Sequence, residues 1–248
     1  MKTGRTTFFA LSALTIIAGT AAATPVFTPI SAPPGSEKNH AFILGQIYGG
    51  TWVADGLDFT NGTLTAKRVS DGGGTTLTLA TSTAVTASDE KWAGDGQLTI
   101  TVRPRYAGDN TTLGWIDDTQ SEPIFQALAD SRNLNGTATF NGSADFRWAL
   151  LNRSKNNSTL TSRASDNAGV GSRSGETLDE LVSYQILGNT NPDLAREWAM
   201  FWEDRRLGES DRDYNDAVFT VLASIPAPSA TAALAAGAIF ASRRRRVG

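Results

Sequence analysis

Short runs of alternating or β-branched residues, each closed off by a turn dipeptide, constrain this chain more than any other feature. LTAKRV begins at Leu64, TTLTLATSTAV covers 75–85 and QLTITVRP covers 97–104, with Asp-Gly, Gly-Gly and Asn-Gly pairs around them. Branched side chains pack well on a pleated surface, and a period of two sends every second residue to the same face. Further strands are expected in NGTATFNGSADFRWALLN (135–152), ELVSYQIL (180–187) and DAVFTVLAS (216–224). Their spacing predicts an all-β fold, an antiparallel β-sandwich of jelly-roll-like kind with one or two short helices. One helix is expected over 122–130, where Pro123 can occupy the first helical position and Ile124, Phe125 and Leu128 fall on one side. The segment 191–204 reads two ways. Asn191 and Pro192 can start a helix carrying Leu194, Trp198 and Phe201 on one face, or a strand can run from Glu197 with Trp198, Met200 and Trp202 on one side.

The chain contains no cysteine and a single histidine, His40. Disulfide stapling, thiolate metal sites and thiol nucleophiles are thereby excluded, and a His-based zinc cluster lacks its ligands. Catalytic motifs are also missing. GSRSG at Gly171 has Arg173 where a nucleophile elbow needs serine, and DGGG at Asp71 lacks the Gly-Lys-Ser/Thr of a phosphate loop. Asp117, Glu122 and Glu203 are the conceivable acids of a carboxylate hydrolase, but no catalytic residue is assigned and the chain reads as a non-enzyme.

Both ends read as processing signals. Residues 1–23 place Lys2 and Arg5 before an apolar stretch from Phe8 to Ala18, then small residues at Ala21 and Ala23, as in a secretory signal peptide cleaved after Ala23. Residues 226–248 run from Pro226 and Pro228 through small and apolar residues at 229–241 to Arg243–Arg246. An apolar segment ahead of an arginine cluster predicts a transmembrane helix and a transient inner-membrane intermediate held with its arginines inside. This tail resembles the PEP-CTERM sorting signal, with Pro226-Ala227-Pro228 in place of Pro-Glu-Pro. The resemblance implies export, processing by exosortase-type machinery, and delivery to the cell surface or extracellular matrix. Between the signals, 24–35 is a Pro-rich lead-in, 36–99 an N-terminal β extension and 100–225 a β-rich domain with an acidic motif.

Charge sharpens this reading. The whole chain is formally −3, but the two signals hold six bases and no acids, so 24–225 carries 16 bases against 25 acids, a net of −9. An acidic body without basic patches does not seek nucleic acid. Seven Asn-x-Ser/Thr triplets, beginning at Asn61, Asn110, Asn135, Asn141, Asn152, Asn156 and Asn157, follow from a surface rich in Thr and Asn.

The acids concentrate in FWEDRRLGESDRDYNDAVFTVL, 201–222. Asp211, Asp213 and Asn215 alternate, Asp216 follows, and Glu203 with Asp204 lies upstream across a loop. Oxygen ligands at alternate positions of a curling chain are how a hard divalent cation is gathered, so these six residues are the candidate metal ligands and Ca²⁺ the expected ion. An EF-hand is excluded, because its sixth position is Asp216 instead of Gly and its twelfth is Leu222 instead of Glu. The alternative is that Arg205, Arg206 and Arg212 neutralise the acids while Asp and Asn cap a turn.

The same block resembles a domain of unknown function found in bacterial surface proteins with such tails. Its hallmarks are an aromatic-Glu-Asp, here Trp202-Glu203-Asp204, and Asp211-Arg212-Asp213-Tyr214-Asn215-Asp216 leading into Val218, Phe219 and Val221. The resemblance covers mainly 100–222 and implies a β-rich fold, calcium at the acidic motif, and a strand from Glu197 in place of the helix. Trp198, Trp202, Tyr214 and Phe219 could alternatively form a stacking platform for matrix exopolysaccharide, although aromatic residues at strand spacing usually face a core.

Overall fold

Fourteen strands and one α-helix form among the residues that the computed structural model describes: 24–73, 75–79, 87–94, 96–167, 179–188, 197–205 and 210–223. In chain order they are α1 (His40–Tyr48), β1 (Val53–Asp55), β2 (Asp58–Thr60), β3 (Leu64–Arg68), β4 (Thr75–Thr78), β5 (Ala87–Ala93), β6 (Gly96–Val102), β7 (Thr111–Asp117), β8 (Phe125–Asp130), β9 (Thr137–Gly142), β10 (Phe146–Asn152), β11 (Ser158–Thr161), β12 (Leu181–Gly188), β13 (Glu197–Trp202) and β14 (Ala217–Ala223). A 3₁₀ turn, Ala164–Asn167, follows β11. The expected signal peptide, the expected sorting tail and residues 191–196, where Asn191 and Pro192 could start a helix, lie outside the described residues.

Two sheets result. One runs β1-β2-β3-β12-β13-β14-β6-β9, the other β4-β5-β10-β7-β8 with β11 on β10. The all-β expectation holds, and the pairing is antiparallel except between β4 and β5, which run parallel. Each sheet contains strands from both sides of residue 100. The run 135–152 divides at 143–145, so that β9 edges the larger sheet and β10 is central in the smaller one.

Alternation along the strands decides where each side chain goes. In β13, Trp198, Met200 and Trp202 enter a core shared by both sheets, where Trp92 of β5 meets Trp198 with ring centroids 6.4 Å apart. Ala199 and Phe201 point the other way, into a second core with Val182, Tyr184, Ile186 and Val218. Strands buried on both faces carry near-continuous apolar runs, as β12 to β14 do. A fully buried side chain of this size contributes about 1.5–3 kcal/mol.

The second core is covered by α1, which replaces part of the β extension expected over 36–99. Asn39 caps it, its side chain accepting from Phe42 N at 3.0 Å, and Ile43 and Leu44 are wholly buried. The chain leaves through Gly49 at φ +76°, a left-handed stop that glycine adopts without penalty.

The helix expected over 122–130 does not form; Phe125–Asp130 is β8, paired with β7. A bulge causes the misreading. Gly114 pairs with Ala127 but Leu113 with Ala129, leaving Leu128 as the extra residue, so Leu128 and Ala129 both reach the core and the period of two is broken. The transmembrane-helix expectation is likewise corrected. Among the described residues no helix is long and apolar enough to cross a membrane, and 229–241 lies outside them.

Candidate metal site

Strands β13 and β14 are antiparallel neighbours with Trp202 opposite Ala217, so the residues just beyond their ends must meet. Asp204 N donates to Asp216 Oδ2 at 3.1 Å. Between them the loop curls back through Arg212 (φ +64°) and Tyr214 (φ +55°), left-handed conformations that cost a non-glycine residue about 1–2 kcal/mol. Glu203 holds the curl in place. Fully buried, it accepts from Tyr214 N at 2.7 Å and from Ser210 Oγ at 2.5 Å, while its own N–H donates to Glu180 O. Tyr214 is also buried, and its hydroxyl donates to Asp179 O at 3.0 Å.

The residues just before and at the start of α1 supply the remaining side of the site. Asn215 Nδ2 donates to Asp213 Oδ2 at 2.6 Å and to Lys38 O at 3.1 Å. His40 Nε2 lies 2.9 Å from Asp213 O and its Nδ1 2.9 Å from the Tyr184 hydroxyl. A carbonyl only accepts, so Nε2 carries the proton and Tyr184 donates to Nδ1. These contacts bring Glu37 to the loop. One carboxylate oxygen each from Glu37, Asp211 and Asp213 lie within 4.8 Å of one another, a spacing that can hold a metal ion.

Glu37, Asp204, Asp211 and Asp216 line one cleft of about 200 Å³, together with Arg205, Ser210 and the stretch Tyr106 to Gly108. Oxygens in the cleft and beside it have no donor. Asp204 is 2% exposed and Asn215 not exposed at all, yet Asp204 Oδ2 and Asn215 Oδ1 are buried without a hydrogen-bond partner, as is Glu37 Oε2. Buried acceptors are normally satisfied, so an unfilled group of this kind calls for an explanation. Arg205 comes near, with Nε 3.5 Å from Asp109 and 3.7 Å from Asp204 Oδ1, beyond good hydrogen-bond range, and is itself exposed. Arg206 is outside the described residues.

Electrostatics agree with the geometry. Burial, followed by the charges of Asp216 and Asp109, pushes Asp204 up to about 8. Burial takes Glu203 to about 8, with the Asp216 and Asp211 charges adding. Asp213 reaches about 7, from burial first and then Asp211, Asp216 and Glu37, against the opposing Asn215 N–H. Asp216 is raised as well. Each such group is destabilised as an anion, a penalty that a proton or a bound divalent cation would offset.

Of the six residues expected from the sequence, Asp204, Asp211 and Asp216 line the cleft, and Asp213 joins Asp211 and Glu37. Asn215 sits behind Asp213, and Glu203 uses both oxygens to clamp the loop. Glu37 and Asp109 were not expected. Nothing in the local pattern at either marks it, since their approach depends on tertiary structure. No protein-family model matches the chain, and no curated protein matches it.

Proposed function

We propose that this chain is an exported cell-surface or extracellular-matrix protein of structural or adhesive kind, with a structural calcium ion at the acidic cleft. The observation that carries the metal reading is the convergence of Glu37, Asp204, Asp211 and Asp216 on one cleft with buried acceptor oxygens left unfilled. Oxygen-only ligands suit Ca²⁺ better than Mg²⁺, which demands near-octahedral geometry and keeps its waters, and the donor set excludes soft metals. The terminal signals motivate export, with the tail processed by exosortase-type machinery. In this reading the two sheets are the layers of a jelly-roll-like sandwich, supported by the core they share.

The polysaccharide alternative draws no support from the aromatic residues. All six tryptophans lie between 0 and 8% exposed, and Tyr214 and Phe219 are wholly buried, so none presents a free ring face for stacking. Melting the purified protein in calcium against EDTA tests the metal reading. At an ion concentration about 100 times Kd, binding adds about 2.7 kcal/mol, which for a chain of this size raises Tm by roughly 5–11 °C. An unchanged Tm at millimolar calcium removes the calcium site.

A further inference from the structure

The acidic side chains of the cleft come from two parts of the chain that are far apart in sequence. Asp204, Asp211, Asp213 and Asp216 belong to the β13–β14 connection, whereas Glu37 belongs to the segment preceding α1. That segment is an arm laid along the body. Val26 bridges to Gly72, with Val26 N donating to Ser70 Oγ at 3.0 Å and Asp71 N donating to Val26 O at 2.8 Å. Thr28 N donates to the Asp71 carboxylate, and Ile30 packs on the second core. Further along, Ser31 N donates to Arg212 O at 2.8 Å, and Lys38 O accepts from Asn215 Nδ2. The arm therefore touches the acidic loop on both sides of Glu37.

In this setting Glu37 opposes the arm's docking unless it is neutralised. Its carboxylate faces Asp211 and Asp213, and its buried Oε2 lacks a donor. Repulsion among carboxylates at 4.8 Å or less pushes the arm away, while an ion shared between Glu37 and the loop pulls it in. Asp204, almost wholly buried with one oxygen unpartnered, lines the same cleft and gives the ion a fixed anchor on the body.

We propose that Glu37 is the ligand through which a divalent cation latches the arm, residues 24–39, onto the acidic loop, so that metal binding and arm docking are one coupled event. This rests on the cation site proposed above and adds to it a regulated element. Without the ion the arm is held by Val26, Thr28, Ile30 and Ser31 against the repulsion at Glu37. With the ion that repulsion becomes a bond, and the stretch around Ser31 and Lys38 closes over the loop. By reciprocity, whatever pulls the arm away weakens the site's hold on the metal by the same factor.

Hydrogen exchange of peptides covering 24–39, measured with Ca²⁺ and with EDTA alongside calorimetric titration of Ca²⁺, tests the coupling. Wild type is expected to bind Ca²⁺ and to exchange about tenfold more slowly in the arm when it does, while β10 peptides do not change. In Glu37→Gln, Ca²⁺ is expected to bind more weakly and to leave arm exchange the same with and without metal. A melting temperature in EDTA no lower than wild type shows that the variant folds. If wild type binds Ca²⁺ with no change in arm exchange, or if the variant keeps the full slowing, the latch is overturned and the cation site stands. If calorimetry finds no Ca²⁺ bound to wild type, the cation site falls and takes the latch with it.

Discussion

Replacing Glu203 by alanine and by glutamine separates its role as a loop clamp from any role as a metal ligand. The carboxyl is fully buried and accepts from Tyr214 N at 2.7 Å and from Ser210 Oγ at 2.5 Å. Alanine removes both acceptors and leaves the buried Tyr214 N–H without a partner, a penalty of about 1–3 kcal/mol. It also removes one buried methylene, worth about 0.8 kcal/mol. The total is roughly 2–4 kcal/mol, and at about 2–4 °C per kcal/mol for a chain of this size the loss in Tm is about 4–16 °C. Glutamine keeps an acceptor for Tyr214 N and can donate to Ser210 Oγ, and it relieves the burial that pushes the acid up to about 8. Glu203→Gln is therefore expected to melt in EDTA at or above wild type. Thermal unfolding by circular dichroism in EDTA at pH 8 reads both variants. If glutamine costs as much as alanine, the carboxylate itself is required and the clamp argument is wrong.

Three other outcomes follow from groups that do not line the cleft. Burial, with the charge of Arg68 adding, takes His40 from 6.5 down to about 3. The unfolded chain then binds the extra proton first, so stability present above pH 6.5 is lost as pH falls toward 3. Between pH 7 and pH 5 wild type should lose about 2 kcal/mol more than His40→Gln, as read from their melting curves. Asp89 is raised by burial and then by Asp179 and Asp71, and neither of its oxygens has a hydrogen-bond partner. A raised carboxyl loses its stabilising contribution as pH rises, so the Tm advantage of Asp89→Asn over wild type should grow from pH 5 to pH 8; an advantage that shrinks contradicts the buried-acid assignment. At Gly114 a Cβ would collide with Gln126 O and with the Phe125 ring across the bulge, so Gly114→Ala is expected to cost about 1–3 kcal/mol or more in chemical denaturation, and a neutral result would dispute the β7–β8 register.

How far the sequence can be read depends on the range of the forces involved. Local pattern left 197–202 open between a helix face and the alternation of Trp198, Met200 and Trp202, and the strand that the resemblance implied is what forms there as β13. Phe125–Asp130 misleads for an equally physical reason: one bulged residue, Leu128, disrupts the period of two and imitates a helical face. Helix α1 is short and apolar on several sides, with Phe42 exposed beside the buried Ile43, so amphipathic periodicity barely registers there and the helix was not expected. The acidic loop was legible as a cluster of oxygen donors. Which donors face the cleft was not. Glu203 and Asp204 are adjacent, yet one clamps the loop and the other lines the cleft, and Glu37 arrives through an arm whose path is set by contacts with Ser70, Asp71 and Arg212.

The measurement that bears most directly on the central claim is a crystal structure of the protein grown in millimolar CaCl₂, with an anomalous map to locate the ion. The account predicts one calcium in the cleft, bound by oxygens of Glu37, Asp204, Asp211, Asp213 or Asp216 at about 2.3–2.6 Å. A map without an ion there, or with an arginine guanidinium filling the cleft and satisfying Asp204 Oδ2, would contradict it.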